Sequence, residues 1–316
     1  MSRPSAQRSG SLLILIAAVL WGTTGTAATF APDVSPIAIG AAAMGFGGLL
    51  QALIAVRSIR RHGAGLRRQW RVVALGAVAV ALYPMAFYSS MQLAGVAVGT
   101  VVSIGSAPIF AAIIERLADG HRLTRRWATG ASLGIAGAAL LSVAESGGGD
   151  SRAPNSELGI TLGLIAGLTY ALYSWAAHRV IDNGVPARAA MGAIFGSAGL
   201  ALMPVVLATG STFLASWANA SVGIYMALVP MFAGYVLFGL GLARARASTA
   251  IVLTLVEPVV AALLAVLIVG EQLAPLGWAG VSLIAGSLIA LTAKMPVPST
   301  GVEVGQSDNP ADLART

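Results

Sequence analysis

Hydrophobic positions along this chain come in long unbroken blocks, separated by short polar connections. Ten apolar runs of about 18 to 22 residues can be drawn, centred near Leu20, Phe46, Leu82, Ser106, Ile135, Gly167, Gly199, Pro230, Ala261 and Leu283. A helix of that length crosses a hydrocarbon layer of about 30 Å. The pattern therefore predicts an all-α integral membrane protein with ten transmembrane helices.

The polar connections orient those helices. With the amino terminus placed in the cytoplasm, eighteen of the nineteen Lys and Arg fall on the cytoplasmic side and only Arg152 falls outside. Such an excess is what sets orientation in a membrane, and a missed span would scramble it downstream. Both termini are thus expected in the cytoplasm of a cell with a bacterial inner membrane. Residues 11 to 30 also fit a cleaved signal peptide, with a basic start and the small residues Thr26, Ala27 and Ala28. A retained first helix is expected instead, because Ala17 to Gly22 can be laid on Ala166 to Ala171, with Trp21 over Tyr170.

The second half of the chain echoes the first. Laid without gaps at a spacing of 150 residues, Pro258 falls on Pro108, Gly270 on Gly120, Gly280 on Gly130, and Leu283 on Leu133. Each copy would hold five helices, an odd number, so the second must enter the membrane upside down. The loops agree: the connection after the second span carries six Arg, and its counterpart around Thr209 to Ala218 carries none. Inverted repeats of this kind characterise alternating-access carriers, with a substrate site near the midplane. The predicted organisation is a cytoplasmic segment 1–10, a five-helix repeat 11–144, a periplasmic linker 145–157, a second repeat 158–293 and a disordered cytoplasmic tail 294–316.

Composition narrows the function. Of 316 residues, 57% are hydrophobic and only 10% charged, against about a quarter charged in soluble domains. The net charge of +7 would suggest nucleic acid only on a soluble fold with a basic face; here it sits in loops, and the lipid bilayer is the expected surroundings. The most basic loop, Arg57 to Arg71, fits contact with anionic headgroups. There is no cysteine, which excludes disulfides and thiolate chemistry. No HExxH, no metal-ligand pair and no Walker-type loop is present, so no metal, no cofactor and no enzymatic activity are expected. No Lys or Arg lies within a span, which disfavours dianionic substrates. The oligomeric state is open, a monomer included.

Candidate site residues are few. Glu257 is the one acidic residue placed well inside a span, and a charge there costs about 2.5 to 3.5 kcal/mol unless it faces protein or water. Two readings stand: substrate or proton handling, or a hydrogen-bonding strut beside the kink at Pro258, which frees the Thr254 carbonyl. Trp21, Tyr83, Tyr170 and Tyr235 lie deep on spans that the repeat pairs, as cavity wall or as core. Carbonyls near Pro108 and Pro258 and the hydroxyls of Ser103 and Thr254 complete the set. The glycine stripes at 159, 163 and 167, at 192 and 196, and at 130 and 134 read as close helix contacts.

With Trp21-Gly22 in the first helix, Glu257-Pro258 in the ninth and Gly270-Glu271 closing it, the chain resembles the drug/metabolite transporter superfamily, specifically the EamA family, over about residues 11 to 293. The first copy departs from that pattern, with Gly120-His121 in place of Gly-Glu. The resemblance implies a carrier of small metabolites; members include bacterial exporters of amino acids, among them the YddG-type exporters of aromatic amino acids. The expected function is export of neutral and aromatic amino acids by alternating access. Efflux of cationic drugs is the runner-up, and a membrane scaffold or enzyme the alternative of another class.

Overall fold

The computed structural model describes residues 3–145, 155–270 and 272–292, and its regular structure there is entirely helical. Most of the expected linker, Glu271 and the expected tail lie outside the described residues. The helices are α1 (Arg3–Ala28), α2 (Pro36–Arg61), α3 (Gly63–Arg68), α4 (Trp70–Ala94), α5 (Val96–Asp119), α6 (Arg125–Glu145), α7 (Ser156–Asp182), α8 (Ala187–Thr209), α9 (Trp217–Met226), α10 (Tyr235–Leu242), α11 (Ala247–Leu253), α12 (Glu257–Leu264) and α13 (Pro275–Thr292).

Local chemistry sets the boundaries. Ser35 caps α2, its hydroxyl accepting from the Ala38 N–H at 3.2 Å, with Pro36 in the first turn where a missing N–H costs nothing. Gly120 and Gly270, matched by the internal repeat, both end their helices in the left-handed region, at φ 67° and 83°. Among the described residues nine helical stretches are long and apolar enough to cross a membrane, and Pro275–Leu291 is a shorter apolar helix where the tenth span was expected.

Three of the described spans are not continuous α-helix, and the one that holds α8 simply ends in a 3-10 turn, Gly210–Leu214. Between α9 and α10 the backbone widens into a π-helical segment, Ala227–Gly234, around Pro230. Between α11 and α12 it tightens into a 3-10 turn, Thr254–Val256, just before Pro258. The carbonyl of Thr254, which Pro258 deprives of its usual donor, is taken up by the Glu257 N–H. Such irregularities often mark functional positions.

Small residues let the helices meet closely. α2 packs on α8, α4 and α5 on α7, α6 on α13, and α1 on α10 and α12. A Cβ on Gly192 would lie 2.5 Å from the Ala55 Cβ, one on Gly159 2.5 Å from the Ala94 backbone nitrogen, and one on Gly130 2.7 Å from Leu291. The glycine stripes are thus helix contacts, as their spacing suggests. Large apolar side chains such as Leu117, Leu207 and Leu214 point outward, as lipid-facing positions of a multi-pass membrane protein do.

Candidate functional site

Six helices, α1, α2, α4, α7, α10 and α12, together with the π-helical segment, surround a cavity of about 60 Å³. Four of the expected aromatics line it: Trp21, Tyr83, Tyr170 and Tyr235. Trp21 and Tyr235 lie with ring centroids 4.6 Å apart, Tyr83 and Tyr170 5.6 Å apart. Tyr173 joins them, 5.2 Å from Tyr170 and 5.9 Å from Tyr83. Gly40, Met44, Phe87 and Tyr88 form the wall toward the face opposite the start of α1.

Hydrogen bonds hold the rings. The Trp21 indole N–H donates to the Pro230 carbonyl at 2.9 Å, within the π-helical segment. The hydroxyls of Tyr173 and Tyr235 share a bond of 2.9 Å. Tyr170 and Thr254 are 2.8 Å apart, and Thr254 itself donates to the Ile251 carbonyl at 2.8 Å. The one Thr254 proton is therefore committed, and the Tyr170 O–H is the donor of that pair.

Glu257 opens α12 and faces the same cavity. No hydrogen bond or ion pair joins its carboxylate to a described residue. The carboxylate is the only formal charge among the residues lining the cavity.

The other four expected residues do not line it. Thr254 stands behind Tyr170 and orients it. Pro258 is buried one residue beyond Glu257, and the carbonyl it frees is already bonded within its own helix. Ser103 and Pro108 are buried on α5, and the Ser103 hydroxyl has no hydrogen-bond partner. A cavity of about 60 Å³ holds a few waters, whereas sites for organic ligands run to several hundred Å³. The described state is closed around its aromatics.

The face bearing the amino terminus is shut by polar contacts that the sequence pattern does not reveal. Glu115, expected near a helix end, is only 3% exposed. Its two carboxylate oxygens accept from the Ser248 N–H at 2.9 Å and the Ser248 hydroxyl at 2.6 Å, which fastens α5 to the first turn of α11. One turn on, Asp119 pairs with Arg179 and accepts from the Trp175 N–H at 2.8 Å. His178 binds the Leu242 carbonyl through Nδ1 at 2.8 Å.

Comparison with known proteins gives the context of this site. The EamA-like transporter family model matches residues 8–143 and again residues 157–293. A Bacillus subtilis (strain 168) protein described as an uncharacterized transporter, YwfM, is 33% identical over 284 residues, covering 90% of this chain and 93% of that one. A solved crystal structure 23% identical in sequence superposes with a TM-score of 0.73 over 90% of this chain and 96% of its own, which shows a shared fold.

Proposed function

The chain belongs to the EamA-like transporter family, and on that premise we propose that it exports neutral and aromatic amino acids across a bacterial inner membrane by alternating access. The observation that carries this reading is a cavity walled by aromatic rings that also holds a carboxylate with no hydrogen bond to a described residue. Glu257 meets the substrate ammonium, and the rings of Trp21, Tyr83, Tyr170 and Tyr235 meet its side chain. Apolar burial contributes about 25 cal/mol per Å², and well-placed rings add about 0.5 to 1.5 kcal/mol. Of the two hydroxyls expected at the substrate carboxylate, that of Thr254 is engaged with Tyr170 and that of Ser103 is buried outside the cavity lining, so neither meets the substrate in this closed state.

Ten spans in two inverted repeats, with both termini cytoplasmic, complete the proposal. Support comes from one family model matching each half separately and from pairs of packed helices that exchange under the repeat. α2 packs on its counterpart α8 and α6 on its counterpart α13, while α4 on α7 is mirrored by α10 on α1.

Efflux of organic cations is the second reading, favoured by the same carboxylate among ring faces, where a cation is attracted by the aromatic quadrupole. Counterflow of labelled phenylalanine into liposomes holding the purified protein separates the two. Phenylalanine, tryptophan, methionine and leucine are expected to compete well, glycine modestly and aspartate least. If aspartate outcompetes phenylalanine, the amino acid reading falls; if only organic cations compete, the second reading replaces it.

A further inference from the structure

On the face that carries the amino terminus, a pocket of about 360 Å³ opens between the start of α1, the end of α5, the 120–124 connection and the 243–246 connection. Its charge is one-sided. Arg122, Arg244 and Arg246 line it, against Glu115 as the single acid. Both Glu115 oxygens are already engaged by Ser248. Arg244 spends one nitrogen on the Leu240 carbonyl at 2.9 Å; the side chains of Arg122 and Arg246 reach no described partner. Two further polar atoms among the lining residues, Trp127 Nε1 and His121 Nδ1, are buried without a hydrogen bond. A buried N–H without a partner is costly, and an acceptor entering this pocket would satisfy that of Trp127.

The pocket does not end in polar surface. Leu123 and Trp127 also border a second space of about 530 Å³, which runs along the outside of α5 and α6 past Ile109, Ile113 and Ala128. This crevice is apolar apart from Arg116 and Ser132 in its lining, and it faces the lipid side of the helices, where Ile109 and Ile113 are exposed. A basic pocket joined to an apolar groove matches an amphiphile with an anionic head. A soluble anion would leave the groove unused, and a zwitterionic lipid would bring its own cation toward three arginines.

We propose that these joined spaces bind one anionic phospholipid, its headgroup phosphate among Arg122, Arg244 and Arg246 and one acyl chain along α5 and α6. The Trp127 N–H donates to the headgroup. The lipid bridges the connection after α5 and the connection before α11, where Glu115 and Ser248 already join the same two elements. Its source is the leaflet on the side of the start of α1. Polybasic sites at membrane surfaces attract acidic lipids by this chemistry, but the groove makes this one selective for a single molecule.

The test uses the purified full-length chain in neutral detergent and measures lipid binding by native mass spectrometry. Phosphatidylglycerol is expected to bind at least about tenfold more tightly than phosphatidylcholine of the same chain length. Arg122→Gln/Arg246→Gln removes that preference, and Arg188→Gln at the start of α8, away from the pocket and from the basic 57–71 loop, keeps it. Ala128→Leu, a substitution on an exposed apolar face that leaves every arginine in place, narrows the groove and weakens phosphatidylglycerol severalfold. It also serves as the second probe if the arginine pair fails to fold. The proposal is overturned if the two lipids bind alike, if Arg188→Gln costs as much as the pocket pair, if Ala128→Leu has no effect, or if inorganic phosphate displaces the lipid completely.

Discussion

Glu257 and Thr254 lie three residues apart and have opposite tasks. The carboxylate faces the cavity with no hydrogen bond to a described residue, whereas the hydroxyl is bonded twice and orients Tyr170. A hydrogen bond to a charged group is worth about 1.5 to 3 kcal/mol, so Glu257→Gln is expected to lower phenylalanine counterflow tenfold or more while the thermal midpoint in detergent hardly moves. Thr254→Val should do the reverse, costing about 1 to 3 kcal/mol of stability by leaving a buried tyrosine hydroxyl without its acceptor. Parallel counterflow and thermal unfolding of both variants check this; a destabilised Gln variant with full transport would make Glu257 the strut. Much of this site is legible in sequence, because depth in a span and the repeat single out Trp21, Tyr83, Tyr170 and Tyr235. Tyr173 follows Tyr170 by three residues and so shares its helix face, which is the sequence signal for its place among these rings. Glu115 gives no such signal: its partner Ser248 is 133 positions away, and near a basic loop it reads as an ordinary helix end.

At the scale of elements, apolar block length anticipates the nine spans among the described residues and overstates the tenth, and it predicts their interruptions poorly. Proline at 230 and 258 announces irregular backbone, but whether the helix widens, as at Ala227–Gly234, or tightens, as at Thr254–Val256, depends on what packs beside it. Trp21 reaching the Pro230 carbonyl is such a neighbour, and it comes from 209 residues away. Short α3, inside what reads as one basic loop, was not expected either. Helix contacts were more legible, since small residues at a spacing of four advertise close approach. Their energetic weight still differs by site. A Cβ on Gly48 would sit 2.2 Å from the Phe195 carbonyl oxygen, a backbone atom that cannot step aside, whereas one on Gly105 meets only Ile135 at 3.5 Å. Gly48→Ala is therefore expected to destabilise by about 1 to 3 kcal/mol, and Gly105→Ala to be neutral or slightly stabilising, as read from thermal midpoints of the two purified variants. Equal midpoints would mean that α2 and α8 can separate without cost.

At the scale of the molecule, the small aromatic cavity lies toward the face opposite the start of α1, and the other face is closed by Glu115 with Ser248, Asp119 with Arg179 and Trp175, and His178 with Leu242. The inverted-repeat argument anticipates two faces that open in turn, but not which is shut in a given state, because that depends on long-range polar pairs that hydropathy does not register. If alternating access is the mechanism, those pairs bias the balance between the two states. Each charge-assisted bond contributes about 1.5 to 3 kcal/mol, so losing two should raise the share of molecules open on the side of the start of α1 at least about tenfold. Ser174 is a suitable reporter, since it lies on α7 one residue beyond Tyr173 toward that face and is fully buried. The native chain has no cysteine to confuse the reading. A small water-soluble thiol reagent should modify Ser174→Cys slowly in the otherwise native protein, and about tenfold faster when Glu115→Gln and Asp119→Asn are added. Phenylalanine at saturating concentration should change the rate in both backgrounds, because a ligand shifts such a balance only when it binds the two states unequally. An unchanged rate in the double variant, with the protein still folded, would mean that these pairs brace the helices and do not gate the cavity.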